Sequence, residues 1–232
     1  MRHVLAATLC ALAAHVAGRG AAEEMPVVVE LYTSQGCSSC PPADALLKEL
    51  AGMDGVIPLS LHVDYWDYIG WPDGFAKPAH SARQEAYARV AGERMVYTPQ
   101  MIFNGADRVV GGDAGAVMER LQAHSGALTS IELSVAREDG ALRIRARAED
   151  PTAPLTVQLV RFRPHATVAI EGGENAGHTV DYANVVTDWQ VVGEWPGEGD
   201  LDLTVPLPGE ESAVVILQEH GPGAVRAARR VP

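Results

Sequence analysis

Two cysteines three residues apart stand at the seam between an apolar strand and a helix. No other feature of the chain constrains its fold as much. Val27-Val28-Val29-Glu30-Leu31-Tyr32 is a β-rich, mostly apolar run of the kind that forms a buried strand. Gly36-Cys37-Ser38-Ser39-Cys40-Pro41 follows at once, and Ala43–Leu50 then carries apolar residues at helical spacing. Cys37 is thereby expected at a helix N-terminus, where unpaired N–H groups and the helix dipole favour a thiolate. Pro41 and Pro42 fall in the first turn, where a missing N–H costs little.

The strand–helix alternation continues. Val56–Val63 reads as a strand, Ser81–Gly92 as a helix, Met101–Phe103 and Arg108–Val110 as a hairpin around Asn104-Gly105, and Ala114–Ala123 as a closing helix. The order β-α-β-α-β-β-α predicts an α/β unit over residues 26–125. Beyond Gly126 the pattern changes. Leu128–Ala136 and Leu142–Ala148 flank the hairpin signal Asp139-Gly140, and strand-like runs follow at Thr156–Phe162, Val185–Val192, Leu201–Val205 and Ala213–Gln218. Short strands without helices predict an all-β, sandwich-like domain over residues 127–232.

Residues 1–22 are read as a secretory signal: Arg2 gives a positive start, Val4–Leu12 an apolar centre, and Gly20-Ala21-Ala22 a small-residue exit. That implies a periplasmic or secreted protein. The apolar run is too short to span a bilayer well, and no other stretch is long enough, so no membrane span is expected in the mature chain. Removing the segment takes away Cys10 and leaves Cys37 and Cys40, which in an oxidising compartment can pair with each other or with a partner. The chain carries 18 basic and 30 acidic side chains, net charge -12. Nucleic acid is a poor partner for such a surface, because phosphate binding needs clustered Lys and Arg.

The Cys-x-x-Cys motif beside an α/β pattern signals redox chemistry, with Cys37 as nucleophile and Cys40 as the thiol that resolves a mixed disulfide. An inert structural disulfide and half of a metal site are the other readings of the same pair. Thr98-Pro99 stands directly before the strand that enters the hairpin. Together these segments resemble the thioredoxin superfamily, which pairs such a motif with a distant cis-proline. The resemblance implies a thioredoxin-like N-terminal domain in which Thr98 lends its backbone to an extended partner and Pro99 faces Cys37. It also implies an acidic residue beneath the second cysteine. Glu30 fills that place, one residue further from Cys37 than is usual there, and would act as proton acceptor; a solvent-facing strand carboxylate is the alternative. The chain as a whole resembles the DUF1223 family. The matching stretches are Glu30–Asp44, His62–Trp71, Ser81–Gln84, Tyr97–Asn104, Gly173–Gly177 and Asn184–Val186.

The segment His62–Phe75 concentrates Tyr65, Trp66, Tyr68, Trp71 and Phe75. We read it as a recognition surface in which Tyr65, Trp66 and Trp71 contact a partner, or as a loop folded over the core. His62 and Asp64 share a strand face, so Cys37, Cys40 and His62 form an alternative copper or zinc site. His80 and Arg83 are read as a solvated helix face, with a place at the border of the site as the alternative, and Gly172–His178 as a glycine-rich hairpin or inter-domain contact. The leading expectation is thiol–disulfide exchange with exported protein thiols or disulfides. It needs no cofactor beyond the redox-active Cys37–Cys40 disulfide. A metal carrier and a non-catalytic adaptor with a structural disulfide are the alternatives.

Overall fold

The computed structural model describes residues 23–232; the expected export segment lies outside them. The chain runs β1 (Glu23–Glu24), β2 (Val27–Thr33), α1 (Pro41–Leu50), β3 (Val56–His62), a short 3-10 turn (Asp67–Ile69), α2 (Pro78–Val90), β4 (Gln100–Phe103), β5 (Asp107–Val110) and α3 (Ala114–His124). It continues through β6 (Leu128–Thr129), β7 (Ile131–Glu138), β8 (Ala141–Ala148), β9 (Leu155–Ala169), β10 (Thr179–Trp195), β11 (Asp200–Pro206), β12 (Ser212–Glu219) and β13 (Val225–Arg230). From Val27 through His124 the strands and α-helices follow the order the periodicity predicts; β1 and the 3-10 turn lie outside that expectation. The last strand, Val-Arg-Ala-Ala-Arg-Arg, carries neither an apolar run nor a clean alternation and is invisible to that reading.

The architecture departs from the expectation of an α/β thioredoxin-like domain followed by an all-β sandwich-like domain. Strand makes up 45% of the chain and helix 18%, so the fold is mostly β. One mixed sheet of eight strands, in the order β13-β12-β9-β10-β3-β2-β4-β5, takes strands from both halves. A three-stranded sheet, β11-β8-β7, and the small pair β1-β6 complete it. The reason is an edge. Every residue of β3 is buried, and a buried strand with one open side leaves backbone groups unpaired. β10 closes that side in parallel, with Val185 in register with Ser60. Pro58 has no N–H to give to the ladder. Asn184, at φ 48°, instead donates its side-chain amide to the Pro58 carbonyl at 2.8 Å.

The sheet has two covered faces. Val28, Tyr32, Ile57, Leu59 and Leu61 pack with Tyr87 of α2, and the same core continues through Val160, Phe162, Val214 and Ile216 of the second half. On the opposite face Val27, Val29 and Leu31 meet Ala43, Leu47 and Leu50 of α1 and Val117 and Leu121 of α3. Further along that face, Leu155, Val157 and Leu159 of β9 and Val215 and Leu217 of β12 pack against the three-stranded sheet.

Asn184 secures the junction twice, through its hydrogen bond and through its tolerance of positive φ. Asn184→Ala should lower stability in urea unfolding by about 2–3 kcal/mol, from a stranded carbonyl plus backbone strain. Asn184→Gly should lose less, because it keeps the backbone conformation.

Candidate functional site

Cys37 and Cys40 form a disulfide with Cα atoms 5.4 Å apart. Cys40 is the N-cap of α1 in helical backbone conformation, and Pro41 and Pro42 open the helix. Both cysteines are buried, Cys37 at 1% and Cys40 at 0% exposure, while Ser38 and Ser39 between them face solvent. Ser39 Oγ lies 3.4 Å from Cys37 Sγ and donates to the Thr98 carbonyl at 3.5 Å. The Thr98–Pro99 peptide bond is cis, and Pro99 is buried. The tertiary structure thus brings two segments some 60 residues apart in sequence onto one site.

Gln35 is the point from which the cysteine loop is held. Its backbone N–H donates to Asp73 Oδ2 at 2.8 Å, and its side-chain oxygen accepts from Trp71 Nε1 at 2.7 Å. The side-chain amide of Asn175 donates to the carbonyls of Gln35 (2.8 Å) and Cys37 (2.9 Å). Asn175 belongs to the Gly172–His178 turn between β9 and β10. There a Cβ on Gly172 would stand 2.8 Å from the Gly70 carbonyl, so only glycine admits the turn this close to the aromatic loop.

The aromatic residues divide by role. Trp66 donates Nε1 to Thr98 Oγ1 at 2.7 Å and stacks with Tyr68, which is 80% exposed. Tyr65 donates its hydroxyl to Gln84 of α2 at 3.0 Å. Trp71 packs on the glycine turn and Phe75 against His62 and Tyr182. Tyr65, Trp66 and Trp71 are half-buried. The loop is therefore folded over the protein and also borders the cysteines.

Glu30 lies on the other face of the sheet. It shares the face of Val28 and Tyr32, opposite to α1. Arg83 donates Nε to Glu30 Oε2 at 2.7 Å and Nη2 to Oε1 at 2.8 Å, and the hydroxyls of Tyr32 and Tyr87 donate to the same carboxylate. Arg83 also reaches Gln218 of β12 and lies 3.8 Å over the Trp189 ring. Burial opposes its charge, but Glu30 holds it firmly protonated. Glu30 and Arg83 thus form a structural ion pair joining the halves. His80, 2% exposed, bonds the His62 carbonyl, and burial pushes its pKa down to about 4. Neither His80 nor Arg83 is the solvated surface that helical spacing suggested.

The carboxylates on the cysteine side are Asp44 and Asp73. His62 Nδ1 is 2.6 Å from Asp73 Oδ2, with both side chains fully buried. Asp64, its expected neighbour by strand period, instead accepts from Ser81. Burial raises the Asp73 carboxyl, but His62 and the amides of Gln35 and Phe75 outweigh it and hold the pKa below its ordinary value. Asp44, one helical turn beyond Cys40, shows the reverse. Burial pushes its carboxyl up to about 7, against the pull of His62. Among the described residues no group of three or more His, Cys, Asp or Glu is disposed to hold a metal ion. Cys37, Cys40 and His62 do not form such a set.

The family described as "Protein of unknown function (DUF1223)" matches residues 28–218. The chain belongs to the DUF1223 family. A protein of Agrobacterium tumefaciens, solved by X-ray crystallography, is 34% identical over 90% of this chain and 95% of its own, with a TM-score of 0.77. HBP35 of Porphyromonas gingivalis is 13% identical, with a TM-score of 0.60 over 89% of this chain and 74% of that one, a likeness of fold alone. No curated protein matches the chain.

Sequence reasoning passed over Asp44, Asp73, Asn175 and Gln35 in this DUF1223 chain. Asp44 did carry a signal: a carboxylate on the apolar stripe of α1, four residues after Cys40. The others are brought in by loops whose partners no periodicity reveals.

Asn175→Ala leaves the buried Gln35 carbonyl without a donor and the Cys37 carbonyl with the Cys40 N–H alone. It should cost about 2 kcal/mol in urea unfolding and speed reduction of the disulfide by dithiothreitol. For Asp44, a folded pKa raised from 3.8 to about 7 means that ionisation opposes folding. The penalty is absent below the unfolded pKa and complete above the folded one. Relative to wild type, Asp44→Asn should therefore gain on the order of 4 kcal/mol of stability as pH rises from about 4 to about 8.

Proposed function

We propose that this protein exchanges disulfides with partner proteins through Cys37 and Cys40. One observation carries the reading: the pair closes as a disulfide across the N-terminus of α1, and the Thr98 carbonyl approaches the exposed Ser38-Ser39 link. In the reduced state the positive end of α1 favours a thiolate at Cys37. That thiolate attacks a partner disulfide, and Cys40 then displaces the partner. The arrangement of the Cys-x-x-Cys helix and Thr98-Pro99 resembles the active site of the thioredoxin superfamily, although the sheet around it is larger. The exposed Tyr68 ring and the half-buried Trp66 lie where a partner chain would pass Thr98. An exported location, as residues 1–22 suggest, would supply such partners.

The burial of both cysteines favours a second reading, in which the disulfide is a clip and the aromatic loop serves as an adaptor surface. Equilibration of the purified protein in glutathione buffers separates the two. Exchange predicts a reduction potential above about -230 mV, whereas a value below about -300 mV with unreactive thiols supports the clip. In parallel, Cys40→Ser should accumulate mixed disulfides with partner proteins and Cys37→Ser should form none.

A further inference from the structure

Five buried side-chain atoms among the described residues lack a hydrogen-bond partner: Thr33 Oγ1, Asp44 Oδ1, Ser60 Oγ, His62 Nε2 and Trp195 Nε1. The first four belong to one place. Thr33 and His62 are in register on β2 and β3. Ser60 and His62 point, by strand alternation, to the face opposite Leu59 and Leu61, which is the face α1 covers. Asp44 descends on them from the first turn of α1. The Thr33 hydroxyl is near enough to steady the Asp44 carboxylate, although the two make no well-formed hydrogen bond. Unsatisfied buried polar atoms are rare in folded proteins, and a cluster of them calls for an explanation.

Helical geometry connects this cluster to the disulfide. Cys40 has helical backbone angles and the Asp44 N–H bonds its carbonyl at 3.1 Å. Side chains at i and i+4 share one helix face, with Cβ atoms about 5–6 Å apart. Asp44 is thus the carboxylate on the same helix face as the Cys40 sulfur, whereas Glu30 is across the sheet and saturated by Arg83, Tyr32 and Tyr87.

We propose that Asp44 is the proton acceptor for the Cys40 thiol during disulfide exchange, with His62 and Asp73 as the positioning pair behind it. The inference rests on the exchange reading. In the step, the Cys37 thiolate attacks the partner disulfide, a Cys37–partner disulfide forms and one partner thiolate leaves. The Cys40 thiol gives its proton to the Asp44 carboxylate. The Cys40 thiolate attacks Cys37 Sγ, the mixed disulfide breaks, and the second partner thiolate leaves. The partner disulfide gains two electrons, the Cys37–Cys40 pair loses two, and the proton rests on Asp44 until it passes to solvent. The reverse reaction returns it to Cys40. The charged or titratable groups facing Asp44 are Cys40 on its own helix, His62 from β3, Asp73 from the following loop and Tyr182 from β10. His62 favours the carboxylate and Asp73 opposes it. The Asp44 carboxyl, held near 7, is poised between the two states at neutral pH.

Stopped-flow reaction of the reduced protein with dithiobisnitrobenzoate tests this, because its coloured thiolate is released once when Cys37 attacks and again when Cys40 resolves. At neutral pH, Asp44→Asn should slow the second release by about 100-fold and leave the first nearly unchanged. The wild-type second phase should rise with pH through about 7. In Asp44→Asn that rise should move to the ordinary thiol range, about 8.5. Asp44→Glu should restore part of the rate, and His62→Gln should move the wild-type midpoint upward by removing the imidazole whose interaction favours the carboxylate. If Asp44→Asn folds poorly, the midpoint shift in His62→Gln still reports on Asp44. A second phase in Asp44→Asn with wild-type rate and pH profile overturns the assignment, as does an unmoved midpoint in His62→Gln. No release at all from the reduced wild type overturns the exchange reading itself, and this inference with it.

Discussion

The parallel seam between β3 and β10 is the constraint on which the rest of the molecule depends. It is narrow, because Pro58 withholds a backbone donor and a single registered pair, Val185 with Ser60, is supplemented by the Asn184 side chain. Yet it fixes the β9–β10 turn over the cysteine loop, so that Asn175 holds the Gln35 and Cys37 carbonyls. It also sets Tyr182 against His62, with ring centroids 4.8 Å apart. The second half of the chain is therefore part of the wall of the site.

The two faces of the sheet handle buried charge in opposite ways. On the α2 face, Glu30 and Arg83 meet in bidentate contact with the remaining oxygen capacity taken by tyrosines, the condition under which a buried ion pair is tolerated. Such a pair can register one half against the other, since Arg83 also touches Gln218 and Trp189. On the α1 face the His62–Asp73 pair is equally buried, but Asp44 beside it has no cation of its own and keeps an unpartnered oxygen. A fully satisfied network rigidifies; a partly satisfied one can take up or release a proton near neutrality.

Burial of the disulfide shapes how the pair can act. With the sulfurs covered and Ser38-Ser39 outside, access requires the loop to yield, and its restraints are few and nameable: Asp73 and Trp71 from the aromatic segment, Asn175 from the β9–β10 turn. The same aromatic segment supplies the exposed Tyr68 at the rim. Loop restraint and exposed rim are thus one piece of chain.

The sequence by itself determined local structure. The apolar run Val27–Tyr32, the prolines after Cys40 and the helical spacing of Ala43–Leu50 placed the cysteine pair at a strand–helix seam. The isolated Thr98-Pro99 marked the segment that meets it. Periodicity sufficed because it records which side of each element is buried. Only the tertiary structure decided which elements are neighbours. It joined strands of the expected α/β domain and of the expected β-sandwich in one eight-stranded sheet, left β7, β8 and β11 as a sheet of their own, and put Glu30 across the large sheet from Cys40. It also chose Asp73 over Asp64 as the partner of His62, and set Asn175 over the cysteine loop. The physical reason is that alternation gives each strand two faces but says nothing of its two edges. In this protein the edge of β3, with one proline in it, is where the halves join.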